Sequence, residues 1–323
     1  MILFRKLGLW TIGAVYLLIL VGGVVRATGS GMGCPDWPKC FGSWVPPTDI
    51  SQLPANYKEI FGEKLKGEIE FNALKTWIEY VNRLLGVLIG FLIFGTFLSS
   101  FFAFWKKDKT IVLLSFFAFI LVGIEGWLGS KVVSSELHPV MITLHMILSM
   151  VIVFILLYAV ARSYNTVVVI ENVHESRQLS FLVILTILLT LGQILLGTQV
   201  REMIDTVSGS MGNELRSQWV ENIGGKFQIH GLFSIVVLSL NLFLFYRIRK
   251  NISVKGIIYK LSVWLLILIL VEMLSGITLA YYSFPALMQP IHLTFATVAL
   301  GIQFIIYLFL NKDSVFRSIA SPQ

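Results

Sequence analysis

The chain is 323 residues long, 56% hydrophobic and only 13% charged, at a mean hydropathy of +0.81. Soluble domains are about a quarter charged, so an ordinary soluble domain is excluded and an integral membrane protein is indicated. The formal net charge of +7 is spread over short loops, where it reads as a topology signal rather than a nucleic-acid patch.

Windows of about 20 apolar residues predict eight spans, at 8–25, 77–104, 111–129, 140–161, 179–199, 228–246, 261–281 and 287–310. Alternating strands are absent, so helices and not a barrel must satisfy the backbone inside lipid. Arg5 and Lys6 precede the first span and no small-residue cleavage site follows it, so it reads as retained and not as a signal peptide. With eight spans, one side collects the amino terminus, Lys106, Lys107, Lys109, Arg162, Arg177, Arg247, Arg249, Lys250, Lys255, Lys260, Lys312 and Arg317. The positive-inside rule makes that side cytoplasmic, with both termini inside. The loops at 27–76 and 201–226 then lie outside, and the expected location is a bacterial plasma membrane.

The only cysteines, Cys34 and Cys40, lie in the first outer loop. On an oxidising face this spacing favours a disulfide, and no histidine is present in that loop to build a metal site. A structural clip and a redox relay both remain open.

The chain repeats itself. Glu125, Gly129 and His145 recur at an offset of 147 as Glu272, Gly276 and His292. Asn82 falls on His230 at an offset of 148, and GGVVR ending at Arg26 matches GTQVR ending at Arg201. The predicted fold is therefore all-α and integral to the membrane, with eight transmembrane helices as two repeat-related four-helix bundles, residues 1–165 and 166–323. Each half has an even number of spans, so the repeats run parallel.

Four-helix bundles hold cofactors between facing helices, and intramembrane ionisable groups are functional candidates. His145, His230 and His292 share a depth near the outer ends of their spans, and His230 can face His292 across an antiparallel bundle. A flat apolar haem with axial imidazoles suits such a pair. His138 sits in an outer loop near an entrance, and His174 in a polar inner loop. The amino-terminal half sets His145 opposite Asn82, so an iron there keeps an open face where a bis-imidazole iron has none.

Glu79, Asn82 and Arg83 cluster in TWIEYVNRLLG at the mouth of the second span. Glu79 lies one helical turn from Asn82, on the same face, as a proton donor or acceptor or, alternatively, as an ion-pair partner of Arg83 or Arg26 that pins the helix end. Arg26 and Arg201 close the first and fifth spans, where a guanidinium can hold a propionate bidentately or merely snorkel to the interface. Glu125 and Glu272 mark either helix-packing hydrogen bonds or a proton or quinol path.

The segment GSGMGCPDWPKC, the acid three residues ahead of a ligand position in EYVNR, and the histidines repeated across two halves resemble the haem A synthase family along essentially the whole chain. The resemblance implies oxidation of the C8 methyl of haem O to a formyl group, by successive hydroxylation and loss of water, to give haem A for cytochrome oxidase. It implies haem b held by His230 and His292, haem O docked at His145, and Glu79 as the catalytic group. It also implies a haem O synthase and oxidase-assembly proteins as partners, beside an unidentified electron donor; a homo-oligomer is compatible with it. The family pattern has histidine where this chain has Asn82. Either the substrate iron is five-coordinate on His145, or Asn82 hydrogen-bonds a water or oxygen species. Two other classes compete: a quinol-linked haem b protein that only passes electrons, and a transporter, which matched midspan helix breaks would favour.

Overall fold

The computed structural model describes residues 1–62, 70–165, 167–212 and 214–316; Thr166 and the tail that includes Arg317 fall outside them. Among the described residues there are eight helices long and apolar enough to cross a membrane. They are α1 (Ile2–Ala27), α2 (Ala73–Phe104), α3 (Lys109–Ser134), α4 (Pro139–Ser163), α5 (Ser176–Met211), α6 (Gly225–Asn251), α7 (Ile257–Tyr281) and α8 (Met288–Leu310). Each is unbroken, so the midspan interruptions that would favour a transporter are not seen in them. Among the described residues only isolated bridges, Cys40 to Ser43 and Val173 to Ile252, have extended pairing.

Local chemistry sets the helix starts. Asn72 accepts a hydrogen bond from Lys75 N at 3.0 Å to cap α2, and Asp108 accepts one from Thr110 N at 3.2 Å to cap α3. Pro139 opens α4, where its missing N–H costs nothing. Seven of the eight spans match the expected boundaries within a few residues. The fifth does not. Its helix runs past Val200 to Met211, so Arg201 lies inside α5 and does not close it. A hydropathy window measures the apolar stretch, whereas the helix continues because Ile204 is fully buried against Trp219 and Ile223.

The helices pack as two rings. In one, α1, α2, α3 and α4 are successive neighbours and α1 also packs on α4; in the other, α5, α6, α7 and α8 are successive neighbours and α5 also packs on α8. The rings meet where α8 lies against α1 and α4. This contact makes α8 the most enclosed span: 56% of its most apolar window is buried, against at most 33% in any other. Glycine permits the approach, since a Cβ on Gly23 would stand 2.7 Å from Pro290 Cβ. Within the rings, interhelical hydrogen bonds supply the specificity that apolar surface lacks in lipid. Thr11 and Thr96 share one at 2.8 Å, and Gln303 Nε2 donates to Thr190 at 3.0 Å and to Asn241 at 3.1 Å.

Charged contacts gather at one end. Arg5 donates to Ser163 O, Arg162 pairs with Asp108 at 2.6 Å, Arg247 pairs with Glu175 at 2.6 Å, and Lys312 donates to Ile170 O at 2.9 Å. The cysteine loop and the far end of α5 occupy the opposite end.

Candidate functional site

One continuous cavity of about 2620 Å³ runs between the rings toward the cysteine-loop end, and Glu79, Asn82, Arg83, His145, His230, His292, Arg26 and Arg201 all line it. Pockets for single small ligands span roughly 300–1,000 Å³, so this one has room for more than one large planar molecule.

His230 on α6 and His292 on α8 face each other with ring centroids 6.4 Å apart and planes at 76°. Two imidazoles bound to opposite faces of one metal, each at about 2 Å plus its ring radius, stand about 6 Å apart. The donor pair thus fits a haem held between the two rings.

Acidic groups sit behind two of the histidines. His292 Nδ1 lies 2.7 Å from Ser275 Oγ and 3.0 Å from Glu272 Oε2. His145 Nδ1 lies 3.3 Å from Glu125 Oε1. A carboxylate at one ring nitrogen fixes the ring's orientation and leaves the other nitrogen for a ligand. The sequence left Glu125 and Glu272 undecided between packing and a proton or quinol path; each packs against the histidine of the next helix. A helix glycine stands opposite each polar group. An added Cβ would lie 3.5 Å from His145 Cε1 at Gly129, 3.5 Å from His292 Cε1 at Gly276, 3.2 Å from His230 Cε1 at Gly197, and 4.0 Å from Asn82 Oδ1 at Gly22. His230 Nδ1, His145 Nδ1 and Asn82 Oδ1 are buried without a hydrogen-bond partner, the 3.3 Å approach of Glu125 to His145 being a charge contact only. Such orphaned atoms are uncommon in a finished interior and suit groups that await a polar ligand.

Glu79 is almost fully buried, at 3% exposure. Its Oε2 accepts the Cys34 N–H at 2.8 Å, and its Oε1 receives Arg83 Nη2 at 2.5 Å and Nε at 3.2 Å. Arg83 also donates to three loop carbonyls, Cys34 at 3.1 Å, Asp36 at 2.7 Å and Lys39 at 3.0 Å. Cys34 and Cys40 form a disulfide, and Thr76 Oγ1 donates to Gly33 O at 2.9 Å. The ion pair thus holds the cysteine loop down over the cavity. Of the two arginines considered as partners, Arg83 is the one that binds Glu79.

Arg26 is engaged elsewhere. It pairs with Asp205 at 2.9 Å, and Arg201 pairs with the other oxygen of the same carboxylate at 2.7 Å. Arg201 Nη2 also donates to Arg26 O at 3.3 Å. The repeat-matched arginines therefore meet across the two halves on one acid. Asp205 escaped the sequence reading, although its place one turn after Arg201 was a readable signal. His138 is exposed and does not line the cavity; His174 is exposed and donates its backbone N–H to Asn251 O at 3.0 Å.

A family described as cytochrome oxidase assembly protein, COX15-CtaA, matches residues 5–304. Similar proteins include the haem A synthase of Shewanella oneidensis, 24% identical over 81% of this chain and 83% of the relative. That of Rickettsia prowazekii is 25% identical over 93% of this chain and 95% of the relative. A shorter match, to the haem A synthase of Nitrosomonas eutropha, is 35% identical over 38% of this chain and 36% of the relative.

Proposed function

The chain belongs to the COX15-CtaA family of cytochrome oxidase assembly proteins, and we propose that it oxidises haem O to haem A in the membrane. The observation that carries the reading is one cavity lined by unlike groups from the two halves, a facing pair of imidazoles from one and an imidazole and an amide from the other. An electron-transfer protein needs only the first of these.

In this reading residues 166–323 hold haem b between His230 and His292, and residues 1–165 take haem O at His145. Haem b, held there by the two imidazoles, would supply one-electron redox capacity. Glu272 and Ser275 orient His292, and Glu125 orients His145. Asn82 replaces a second imidazole on the substrate side, so that face stays open and its amide can hydrogen-bond a water or oxygen species. Glu79 moves a proton at its carboxylate oxygens as the hydrated carbon loses water, while Arg83 keeps the carboxylate in position. Arg26 and Arg201 each hold a propionate in place of the Asp205 carboxylate with which both are now paired. The disulfide loop covers the site on the outer face, and both termini are cytoplasmic, as the basic residues gathered at one end support. A haem O synthase, oxidase-assembly proteins and an electron donor complete the expected partners.

The test is co-expression with a haem O source followed by haem extraction and mass analysis. Haem A is expected from the native chain. Glu79→Gln is expected to retain haem b while haem A formation falls by about 100-fold or more. A native chain that returns haem b and unchanged haem O would leave only the electron-transfer reading.

A further inference from the structure

Along two of its four repeat-related helix pairs the cavity extends further in one half than in the other. On α2 its wall runs from Asn82 to Phe94, twelve residues or about 18 Å along the helix. On α6 it runs from His230 only to Val237, seven residues or about 10 Å. The neighbouring pair differs in the same way, since the wall reaches Phe119 on α3, six residues below Glu125, but stops at Ile269 on α7, three below Glu272; α1 and α5, ending at Val15 and Thr190, and α4 and α8, ending at Ile152 and Ala299, are lined to equal depth, so the extension lies between α2 and α3. The amino-terminal half therefore owns an apolar arm below the level of its histidine.

Two further observations define this arm. Gly86 and Gly90 on α2 and Gly123, exposed on the outer side of α3, line it, and a Cβ added at any of them would meet nothing within 4 Å. At the repeat offsets of 148 and 147 the other half has Ser234, Leu238 and Leu270. The arm's rim is also apolar and open to the outside, since Val87 and Phe91 line it and are 60% and 68% exposed.

We propose that this arm holds the isoprenoid chain that haem O carries and haem b lacks. The proposal rests on the reading that the amino-terminal half takes haem O. A macrocycle with only short substituents fills a pocket that ends near its own plane, as in the carboxyl-terminal half. A long hydrocarbon substituent needs a second, wholly apolar volume continuous with the first, and gains affinity from every methylene it buries. The arm supplies that volume in the half with the single imidazole, and its outer opening lets a chain too long for the arm extend into lipid. Gly90 and Gly123 thereby act as specificity-determining positions through the side chains they omit.

The test uses the purified protein carrying its haem b, titrated separately with haem O and with protohaem, with binding read from the Soret band. The native protein is expected to bind haem O about tenfold or more tightly than protohaem. Gly90→Leu combined with Gly123→Leu is expected to erase that preference with protohaem affinity unchanged. A preference that survives, or a protohaem affinity that falls in parallel, would overturn the arm. The matching alanine pair, which adds methyls into open space, should keep part of the preference; a loss as complete as with leucine would indicate helix packing and overturn it as well. His145→Ala separates the two levels of the argument. Added haem that still binds this variant counts against the substrate site itself, whereas the leucine pair reports on the arm.

Discussion

The two halves carry the same frame to different ends. In the carboxyl-terminal half, His292 is backed by Glu272 and faces His230; in the amino-terminal half, His145 is backed by Glu125 and shares its cavity with Asn82. The acid behind the histidine and the glycine in front of it are common to both. The departures lie on the second ligand wall, α2 against α6, and in the depth below it. One half presents two facing imidazoles to the cavity, and the other an imidazole and an amide.

The comparison can be broken most severely at the facing pair. His230→Ala or His292→Ala is expected to abolish the low-spin haem b spectrum of the purified protein; its retention in both variants would remove the ligand assignment. Next in size are the acids behind the histidines. Glu272→Gln should weaken haem b binding about 10- to 100-fold, and Glu125→Gln should do the same to haem O binding at His145, each leaving the other haem untouched. Reconstitution titrations of the two variants would read this, and cross-effects of equal size would mean that the halves do not hold separate haems. The smallest change sharpens the comparison by undoing it. Asn82→His should convert high-spin substrate haem to low spin in electron paramagnetic resonance without altering the haem b signal. An unchanged spectrum would mean that Asn82 does not face the iron.

The spans were legible because lipid demands long apolar runs, and the polar frame because Glu125–His145 and Glu272–His292 recur at one spacing. Hydropathy marks where lipid ends but not where a helix ends, so the last twelve residues of α5 were missed; Ile204 keeps them helical through contacts with Trp219 and Ile223. Contacts between distant segments were also hidden. Asp205 reaches Arg26 across 179 residues of chain, and Arg83 finds its three carbonyls only once the cysteine loop has folded over α2. Neither follows from spacing along one helix. The length of the cavity arm was equally out of reach, since a glycine in an apolar run signals a gap only when its neighbours are in place.

The position of α8 bears on how such a chain can be rebuilt. This helix carries His292, yet two residues earlier Pro290 is the surface against which Gly23 of α1 rests, and α4 packs along the same helix. The eighth span is thus a keystone shared by both rings rather than the last stave of one. Chimaeras that exchange the final four spans between relatives as a cassette would import a keystone cut for another arch, and matching α1 and α4 to the incoming α8 is the first condition for such a hybrid to close.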